Sequence, residues 1–326
     1  MSTNGSFWQR ARRTVGQVLV DGAFTYAARL GRLHPRADPS AHGLERLTDI
    51  PYQNSGQREH LLDVYRPAAR NGSLPVVIYL HGGGFRILSK ESHWLMGLAF
   101  ARRGYLVFNI NYRLAPHHRY PAAVEDACAA FSWVVENAHR YGGNPDQLVL
   151  AGESAGANLA AALAILTCYE RPEPFARAVF DLARVPRAVS LLCGLLQVSD
   201  PKRFSRDMGC SWFMDDRMSE IAEAYLPPDQ SHELADPVVF LERGQAPARP
   251  LPAFQASVGT ADPLHDDTRR LKRALDRLGT ACEACFYPGE LHAFQAFVWR
   301  RHARQAWRDT YAFLDRHVPA PKGAAL

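Results

Sequence analysis

Long apolar runs are missing from the 326-residue chain. A helix that crosses a bilayer needs about 20 mostly apolar residues in succession, so the sequence predicts no membrane span. A secretory signal also fits poorly, because Asp21 interrupts the apolar stretch Val15–Val20 and no small-residue cleavage site stands out. These absences argue against a membrane-spanning or exported protein.

Concentrated charge is missing as well. The 38 Lys and Arg residues exceed the 33 Asp and Glu residues by five, and all of these charges are spread along the chain. No basic tract carries interleaved aromatic residues, so nucleic acid is not predicted as a partner. A content of 47% hydrophobic and 22% charged residues is ordinary for a globular protein.

Cysteine is scarce and dispersed, with six residues at positions 128, 168, 193, 210, 282 and 285. Most lie in apolar segments, which is typical of reduced, buried thiols and predicts a cytoplasmic protein. Cys282 and Cys285 have the spacing of a redox pair, but they lie in a predicted strand, where residues three apart face opposite sides. No redox or metal role is therefore predicted for the cysteines.

What the chain does contain is an alternation of strand and helix patterns. Continuous apolar runs such as Pro75–Leu80 and Tyr105–Ile110 predict strands buried on both faces of a parallel sheet. Apolar residues at helical spacing over Ala122–Tyr141 predict a helix that follows them. The alternation predicts the α/β class, with a mostly parallel central sheet and helices on both faces.

Two segments depart from this alternation. Residues 1–45 carry an apolar stripe at helical spacing, so amphipathic helices are predicted that pack on the protein's own body, contact lipid or close over a site. Residues 195–250 gather Met and aromatic side chains in an irregular to helical stretch. Those side chains either form a small core of their own or line an apolar pocket.

The chain is organised around Leu148–Ala164, where an apolar strand runs into Gly152-Glu153-Ser154-Ala155-Gly156 and then into an Ala- and Leu-rich helix. A G-x-S-x-G pattern between strand and helix is typical of a nucleophile elbow, in which a sharp turn exposes the serine hydroxyl. The two glycines leave room where strand and helix pass closely. Ser154 is therefore predicted to be a nucleophile, and the alternative is a serine that caps the helix.

Two later strand ends offer partners for Ser154. A serine hydroxyl becomes a strong nucleophile when a base takes its proton and an acid orients that base. Asp262 and His292 each follow a predicted strand, in the chain order nucleophile, acid, histidine. Asp266 or Asp267 on the same turn is an alternative acid, although capping of the next helix accounts for both of them.

Three consecutive glycines follow another predicted strand, in the order His81-Gly82-Gly83-Gly84-Phe85. Such a run is costly in backbone entropy and needs a reason. The tetrahedral intermediate of acyl transfer needs hydrogen-bond donors for its oxyanion. We predict that the amides of two among Gly82, Gly83 and Gly84 join the amide of Ala155 in this role, with a flexible loop as the alternative.

Together these motifs resemble the hormone-sensitive-lipase-like family of α/β-hydrolase esterases. The glycine loop is similar to its H-G-G-G-[FW] motif, and residues 152–160 resemble its G-[DE]-S-A-G-x-N-L-A elbow. Y-R-L-A-P at 112–116, D-P-L at 262–264 and H-A-F at 292–294 resemble further motifs in the same order. His117 stands where the family usually has Glu, a departure that matters little for catalysis.

The resemblance implies an α/β-hydrolase fold with Ser154, Asp262 and His292 as its catalytic residues. It places His81 and Glu153 at supporting positions of the motifs, and it implies neither a cofactor nor a metal. It further implies one domain over residues 1–326, with a helical cap built from about 1–45 and 195–250.

The sequence therefore predicts a lipolytic carboxylesterase that acts on small-molecule esters of short to medium acyl chains through a Ser-His-Asp triad and an acyl-enzyme. One alternative is a hydrolase of another acyl group, such as an arylacetamide, a lactone or an acetylated small molecule. Others are a lipase whose N-terminal helix contacts a membrane surface and a non-catalytic ligand-binding protein on this fold. A homodimer is left open.

Overall fold

The computed structural model describes residues 22, 26, 28, 30–69, 72–208, 212–228 and 231–318. Cys210 and the part of the predicted apolar stripe that covers residues 7–19 lie outside these residues, whereas Gly22 and Tyr26 of the same stripe are helical. Within them, the N-terminal segment is helical at residues 30–32 and continues as short 3₁₀ helices at Pro35–Ala37 and Pro39–His42. The first strand begins at Leu44, so the predicted helical segment ends a few residues earlier than residue 45.

Eight strands within the described residues form one sheet, in the order β1-β2-β4-β3-β5-β6-β7-β8. Their bounds are β1 Leu44–Pro51, β2 Leu61–Pro67, β3 Leu74–Leu80, β4 Leu106–Ile110, β5 Gly143–Glu153, β6 Ala188–Leu192, β7 Ala253–Gly259 and β8 Cys282–Tyr287. The β1–β2 and β2–β4 pairs are antiparallel, and every other neighbouring pair is parallel. The predicted α/β class with a mostly parallel sheet is confirmed.

Helices cover both faces of this sheet. Their bounds are α1 Trp94–Ala101, α2 Ala122–Asn137, α3 Ala155–Cys168, α4 Pro174–Asp181, α5 Arg203–Met208, α6 Trp212–Tyr225, α7 Pro237–Glu242, α8 His265–Arg277 and α9 Arg301–His317. Buried side chains of α2, α3, α7 and α8 share one core cluster, whereas those of α1 and α9 share a second one. None of the described helices has the length and apolar character required to cross a bilayer.

The apolar run of β3 shows why the sheet is covered on both faces. Val76 and Ile78 pack into the core beneath α2 and α3, and Val77 and Tyr79 pack into the core beneath α1 and α9. All of these side chains are fully buried. Because successive residues of a strand face opposite sides, a continuous apolar run is what a doubly covered strand requires.

One predicted helix start is wrong. The sequence predicted that Asp266 or Asp267 precedes and caps the next helix, but α8 begins at His265 and contains both aspartates in its first turn. Asp267 is buried, accepts a hydrogen bond of 2.8 Å from the amide of Leu196 and forms an ion pair with Arg203 at 2.8 Å. Its role is therefore to hold the loop after β6 against α8.

Candidate active site

The predicted site residues lie at the carboxyl edge of the parallel strands. Ser154 follows β5 directly, the glycine loop begins one residue after β3, and Asp262 and His292 follow β7 and β8. Carboxyl ends of parallel strands meet at one edge, which is where open α/β sheets bind their ligands. The fold thus gathers at one edge four segments that are separated by up to about two hundred residues in the chain.

Ser154 occupies the sharp turn between β5 and α3, with φ 54° and ψ −114°. A positive φ at a residue other than glycine is strained and persists only where the surroundings enforce it. Here the Ser154 amide donates to Leu192 O at 2.9 Å, and its carbonyl accepts from Leu195 N at 3.2 Å. Within the described residues the Ser154 side chain makes no capping bond, which counts against the helix-cap alternative.

The two glycines of the elbow are required by close backbone approach. A Cβ atom built on Gly152 would lie 2.4 Å from Gly156 O, and one built on Gly156 would lie 2.1 Å from Leu80 O. These distances are far below the contact distance of a carbon and an oxygen, so any side chain would push β3, β5 and α3 apart. The glycines allow α3 to start directly against the glycine loop, with the amide of Ala155 in its first turn.

Asp262 and His292 are joined directly. Nδ1 of His292 donates to Oδ2 of Asp262 at 2.8 Å, and the other carboxylate oxygen accepts from Leu264 N at 2.9 Å. Asp262 is fully buried, whereas the His292 side chain keeps 40% of its surface exposed. Burial alone would lower the pKa of His292, but the charge and hydrogen bond of Asp262, with the charge of Glu153, hold that pKa above its usual value.

The loops that carry these two residues are bonded to each other. The amide of Ala261 donates to Glu290 O at 3.1 Å, and the amide of Gly289 donates to the hydroxyl of Thr260 at 2.9 Å. A Cβ atom on Gly259 would lie 2.0 Å from Glu290 O, so glycine is the residue that permits this approach. The geometry of the aspartate–histidine pair is therefore fixed by the backbone.

The glycine loop lies against the elbow, but its three amides are not equivalent. The amide of Gly82 donates to Nε2 of His93 at 3.3 Å. A Cβ atom on Gly82 would lie 3.5 Å from Cβ of Ser154, which measures how closely loop and elbow pack. Because His93 accepts from the Gly82 amide, this amide already has a partner within the protein.

Gly83 and Gly84 both have left-handed backbones, with φ of 114° and 59°. Gly83 O accepts from the amides of Arg86 and Ile87 at 3.1 and 3.2 Å, which folds the loop into a tight turn. A Cβ atom on Gly83 would lie 2.1 Å from Ile87 O. The glycine run is therefore held in a tight turn by backbone hydrogen bonds, and no larger residue would fit at Gly83.

The two supporting residues of the motifs are buried behind the site. His81 stacks on Tyr112 with ring centroids 4.2 Å apart and hydrogen-bonds to Gly82 O at 2.7 Å. Burial, with a smaller contribution from nearby His93, lowers the pKa of His81 to about 3, so its ring is neutral and structural. Burial would raise the pKa of Glu153, but the nearby rings of His93, whose Nε2 lies 3.8 Å from Oε1 of Glu153, and of His292 hold it below its usual value.

Two residues of the site escaped the sequence analysis. His93 lies eleven positions beyond Gly82 in a stretch without a local motif, and only the fold brings it to the loop. Cys193 directly follows β6 and is fully buried, and its thiol donates to Oε1 of Gln295 at 3.6 Å. Its position at a strand end was the one signal in the sequence that indicated it.

Cys193 adjoins the aspartate–histidine pair as a neutral thiol. Burial raises the pKa of Cys193 well above its usual value, and the charges of Glu153 and Asp262 raise it further. The thiolate is the nucleophilic form of cysteine, so this side chain is not a competing nucleophile. Cys282 and Cys285 lie in β8 as free, partly buried thiols.

Comparison with known proteins gives a consistent assignment. The family described as the alpha/beta hydrolase fold matches residues 77–296. Carboxylesterase NlhH of Mycobacterium tuberculosis is 32% identical over 293 residues, which cover 86% of this chain and 84% of that protein. Acetyl esterase of Salmonella typhi is 33% identical over 225 residues, which cover 68% of this chain and 66% of that protein.

Solved structures agree with these relatives. Esterase LipW from Mycobacterium marinum superposes with a TM-score of 0.74 at 25% identity, over 92% of this chain and 89% of that one. The hyperthermophilic esterase from the archaeon Pyrobaculum calidifontis superposes with a TM-score of 0.71 at 26% identity, over 92% of this chain and 93% of that one. Both share the fold that carries the site described above.

Proposed function

Because the chain belongs to the alpha/beta hydrolase fold family and is an ester hydrolase, we propose that Ser154, His292 and Asp262 form its catalytic triad. The observation that carries the proposal is the 2.8 Å bond between Nδ1 of His292 and the buried carboxylate of Asp262, at the sheet edge where the strained Ser154 turn lies. The relatives named carboxylesterase and acetyl esterase support the reaction class.

The proton path follows from the histidine tautomer. His292 donates through Nδ1 to Asp262, so Nε2 is the nitrogen with a free lone pair. Nε2 accepts the hydroxyl proton of Ser154 as the oxygen attacks the ester carbonyl carbon, and then gives that proton to the leaving alcohol. Water repeats the sequence on the acyl-enzyme and releases the carboxylic acid. Asp262 stabilises the imidazolium that forms in both steps.

The developing oxyanion is held by backbone amides. Ala155 is the first residue of α3, where the amides have no partner within the helix and the helix dipole favours negative charge. With the Gly82 amide bound to His93, we assign the other two donors to Gly83 and Gly84. Losing one such donor typically lowers kcat by about 10²–10³.

We further propose that residues 195–250 contribute a cap that forms one wall of the acyl pocket. Tyr225 of α6 stacks on Phe85 with centroids 3.8 Å apart and planes within 3°. Ile221 lies over the oxyanion loop, since a Cβ atom on Gly84 would be 3.0 Å from its Cδ1. Arg86 binds Glu220 at 2.8 Å and fixes α6 against the same loop. The contribution of residues 1–45 to a cap stays a prediction.

An acyl-chain series tests this substrate range. A wall this close to the oxyanion loop limits the depth of the pocket, so a long acyl chain enters only by displacing packed side chains, at a cost of about 1–3 kcal/mol. Since about 1.4 kcal/mol corresponds to a factor of ten, we expect kcat/KM for p-nitrophenyl butyrate or hexanoate to exceed that for the palmitate by at least about tenfold. A maximum at palmitate, or a preference for emulsified triglyceride, would contradict short- to medium-chain specificity.

The oxyanion loop has its own test in Gly83→Ala. The added methyl would lie 2.1 Å from Ile87 O, and Gly83 has a φ of 114° that alanine rarely adopts. The loop must therefore shift, and its amides would no longer point at the oxyanion. We expect kcat to fall about 10²–10³-fold with little change in KM, since an oxyanion donor acts in the transition state.

Gly244→Ala is the matched control for the loop variant. Gly244 also has a positive φ of 68°, but a Cβ atom there meets nothing within 4 Å. It carries backbone strain without a collision and should leave kcat unchanged. Equal kcat values for the two variants would show that the loop does not bind the oxyanion.

We propose the cellular location of the enzyme from the state of its cysteines. The cysteines in the described residues are free, which supports a cytoplasmic location because exported proteins usually oxidise their cysteines. The predicted small-molecule ester partner agrees with the esterase relatives. A homodimer and contact of the N-terminal helix with lipid stay predictions.

A further inference from the structure

The thiol of Cys193 is a buried group that the hydrolytic mechanism does not use. One ligating atom from each of Cys193, Asp262 and His292 lies within 4.8 Å of the other two. Cys193 and Asp262 are buried, and His292 opens to solvent with 40% of its side-chain surface. The three residues come from the ends of β6, β7 and β8, whose loops are fixed by the sheet. The site therefore offers sulfur, oxygen and nitrogen ligands around one point beside the catalytic edge.

We propose that Cys193, Asp262 and His292 bind a soft divalent cation of the Zn²⁺ class, and that this ion inhibits the esterase reversibly. Thiolate, imidazole and carboxylate are the ligands that Zn²⁺ takes from proteins. With bonds of about 2.0–2.3 Å, a tetrahedral ion holds its ligand atoms roughly 3.3–3.8 Å apart. Closing the site thus needs about 1 Å of side-chain movement, which rotation of His292 supplies at its exposed side.

Charge and protons balance in this step. The Cys193 thiol loses one proton to solvent and becomes a thiolate, so two negative ligands neutralise the dication in a buried place. The metal takes the place of the Nδ1 proton of His292, and that proton moves to Nε2. No oxidant or reductant is involved, and removal of the ion restores the starting state.

Inhibition follows from the change of tautomer. With Nδ1 bound to the ion, Nε2 carries the ring proton and cannot accept the proton of Ser154. Asp262 becomes a metal ligand and no longer orients the imidazole. Binding of the ion does not depend on the proposed triad, whereas its effect on activity rests on that proposal, so the two are measured separately.

The ligand set also predicts which ions act. Mg²⁺ and Ca²⁺ prefer six or more oxygen ligands and discriminate against a thiolate. We expect Zn²⁺ to inhibit with a stoichiometry of one, and Mg²⁺ or Ca²⁺ at the same concentration to have no effect. Excess chelator should then return the full rate.

The test compares the wild-type chain with Cys193→Ser and with the control Cys285→Ser. Serine keeps the size of the side chain but is a poor zinc ligand, and Cys285 is a partly buried thiol on β8 outside the cluster. Calorimetric Zn²⁺ affinity and the Zn²⁺ concentration for half-inhibition of p-nitrophenyl butyrate hydrolysis are measured for all three. We expect Cys193→Ser to weaken the Zn²⁺ affinity and the inhibition at least about 10–100-fold, because loss of a metal ligand costs no less than loss of a residue that hydrogen-bonds to one. We expect Cys285→Ser to match the wild type.

A spectroscopic measurement on the wild-type chain guards against a variant that misfolds. Co²⁺ in the same site should show thiolate-to-metal charge-transfer absorption in the near ultraviolet, lost in Cys193→Ser and kept in Cys285→Ser. No charge-transfer band, or equal Zn²⁺ affinity in all three proteins, would overturn the site. A bound ion that leaves the hydrolysis rate unchanged would keep the metal site but overturn both the inhibition and the catalytic role given to His292.

Discussion

Replacing Ser154 by alanine should lower kcat/KM for p-nitrophenyl butyrate by about 10⁴–10⁶-fold, the cost typical of removing a catalytic serine. The change removes one oxygen from a residue that is nearly buried, so the fold should tolerate it. The Asp262–His292 pair and the oxyanion amides remain, and they account for the residual rate. Steady-state hydrolysis and labelling by a fluorophosphonate probe both measure the effect, and the probe should not label the variant.

Ser55→Ala is a demanding control for that experiment. Oγ of Ser55 lies 2.5 Å from Nδ1 of His60, and Nε2 of His60 lies 3.1 Å from Oδ1 of Asp126. The residue types are those of a triad, but Asp126 is also bound by Arg113 at 2.8 Å and is thereby neutralised. We expect Ser55→Ala to keep the wild-type rate and probe labelling. Labelling that survives in Ser154→Ala and vanishes in Ser55→Ala would reverse the assignment.

Replacing Asp262 by asparagine should lower kcat/KM by about 10⁴-fold. Asparagine is nearly the same size, but it offers no negative charge, and its amide group favours the wrong tautomer of His292. The buried carboxylate now accepts from His292 at 2.8 Å and from the Leu264 amide at 2.9 Å, so the substitution removes the negative charge that orients the imidazole and stabilises the imidazolium.

The pH profile distinguishes this role from a structural one. Activity requires the neutral imidazole, so kcat/KM rises with pH through the pKa of His292. Asp262 raises that pKa in the wild type, and removing its charge should lower it. We therefore expect the acidic limb of the profile to move to lower pH in Asp262→Asn.

Asp266→Asn provides the matched comparison, since the sequence left Asp266 as an alternative acid. Asp266 lies in the first turn of α8 and lines a separate cavity of about 670 Å³ with Arg203 and Arg269. We expect its rate within a few-fold of the wild type and an unshifted pH profile. A larger loss in Asp266→Asn than in Asp262→Asn would transfer the acid role to Asp266.

The elements that the sequence predicted well share one property, which is that each is encoded locally. The apolar residues of β3 are continuous and those of α2 recur at helical spacing, so each pattern shows which residues of its own element are buried. Both elements lie where expected. The G-x-S-x-G pattern records a turn in which only glycine fits on either side of the serine. For the same reason the strand ends that carry Asp262 and His292 could be placed before any contact between them was known.

The predictions that needed revision depend on distant partners. Asp267 reads as a helix cap in the sequence, yet in the structure it binds Arg203 and the Leu196 amide, some 60 to 70 residues away. Helix capping is a local preference of about 1 kcal/mol, and a buried charge that would otherwise lack a partner outweighs it. For this reason α8 contains Asp267 in its first turn and does not start after it.

By itself the sequence determined the α/β class, the order of the segments that carry the proposed catalytic residues and the side chains that each presents. The tertiary structure decided which of these groups meet: that His93 occupies the Gly82 amide, that α6 lies over the glycine loop, and that Cys193 adjoins the Asp262–His292 pair. The reason is physical. Periodicity and turn chemistry are properties of neighbouring residues, whereas hydrogen bonds across loops arise only when packing of the sheet brings distant strand ends to one edge.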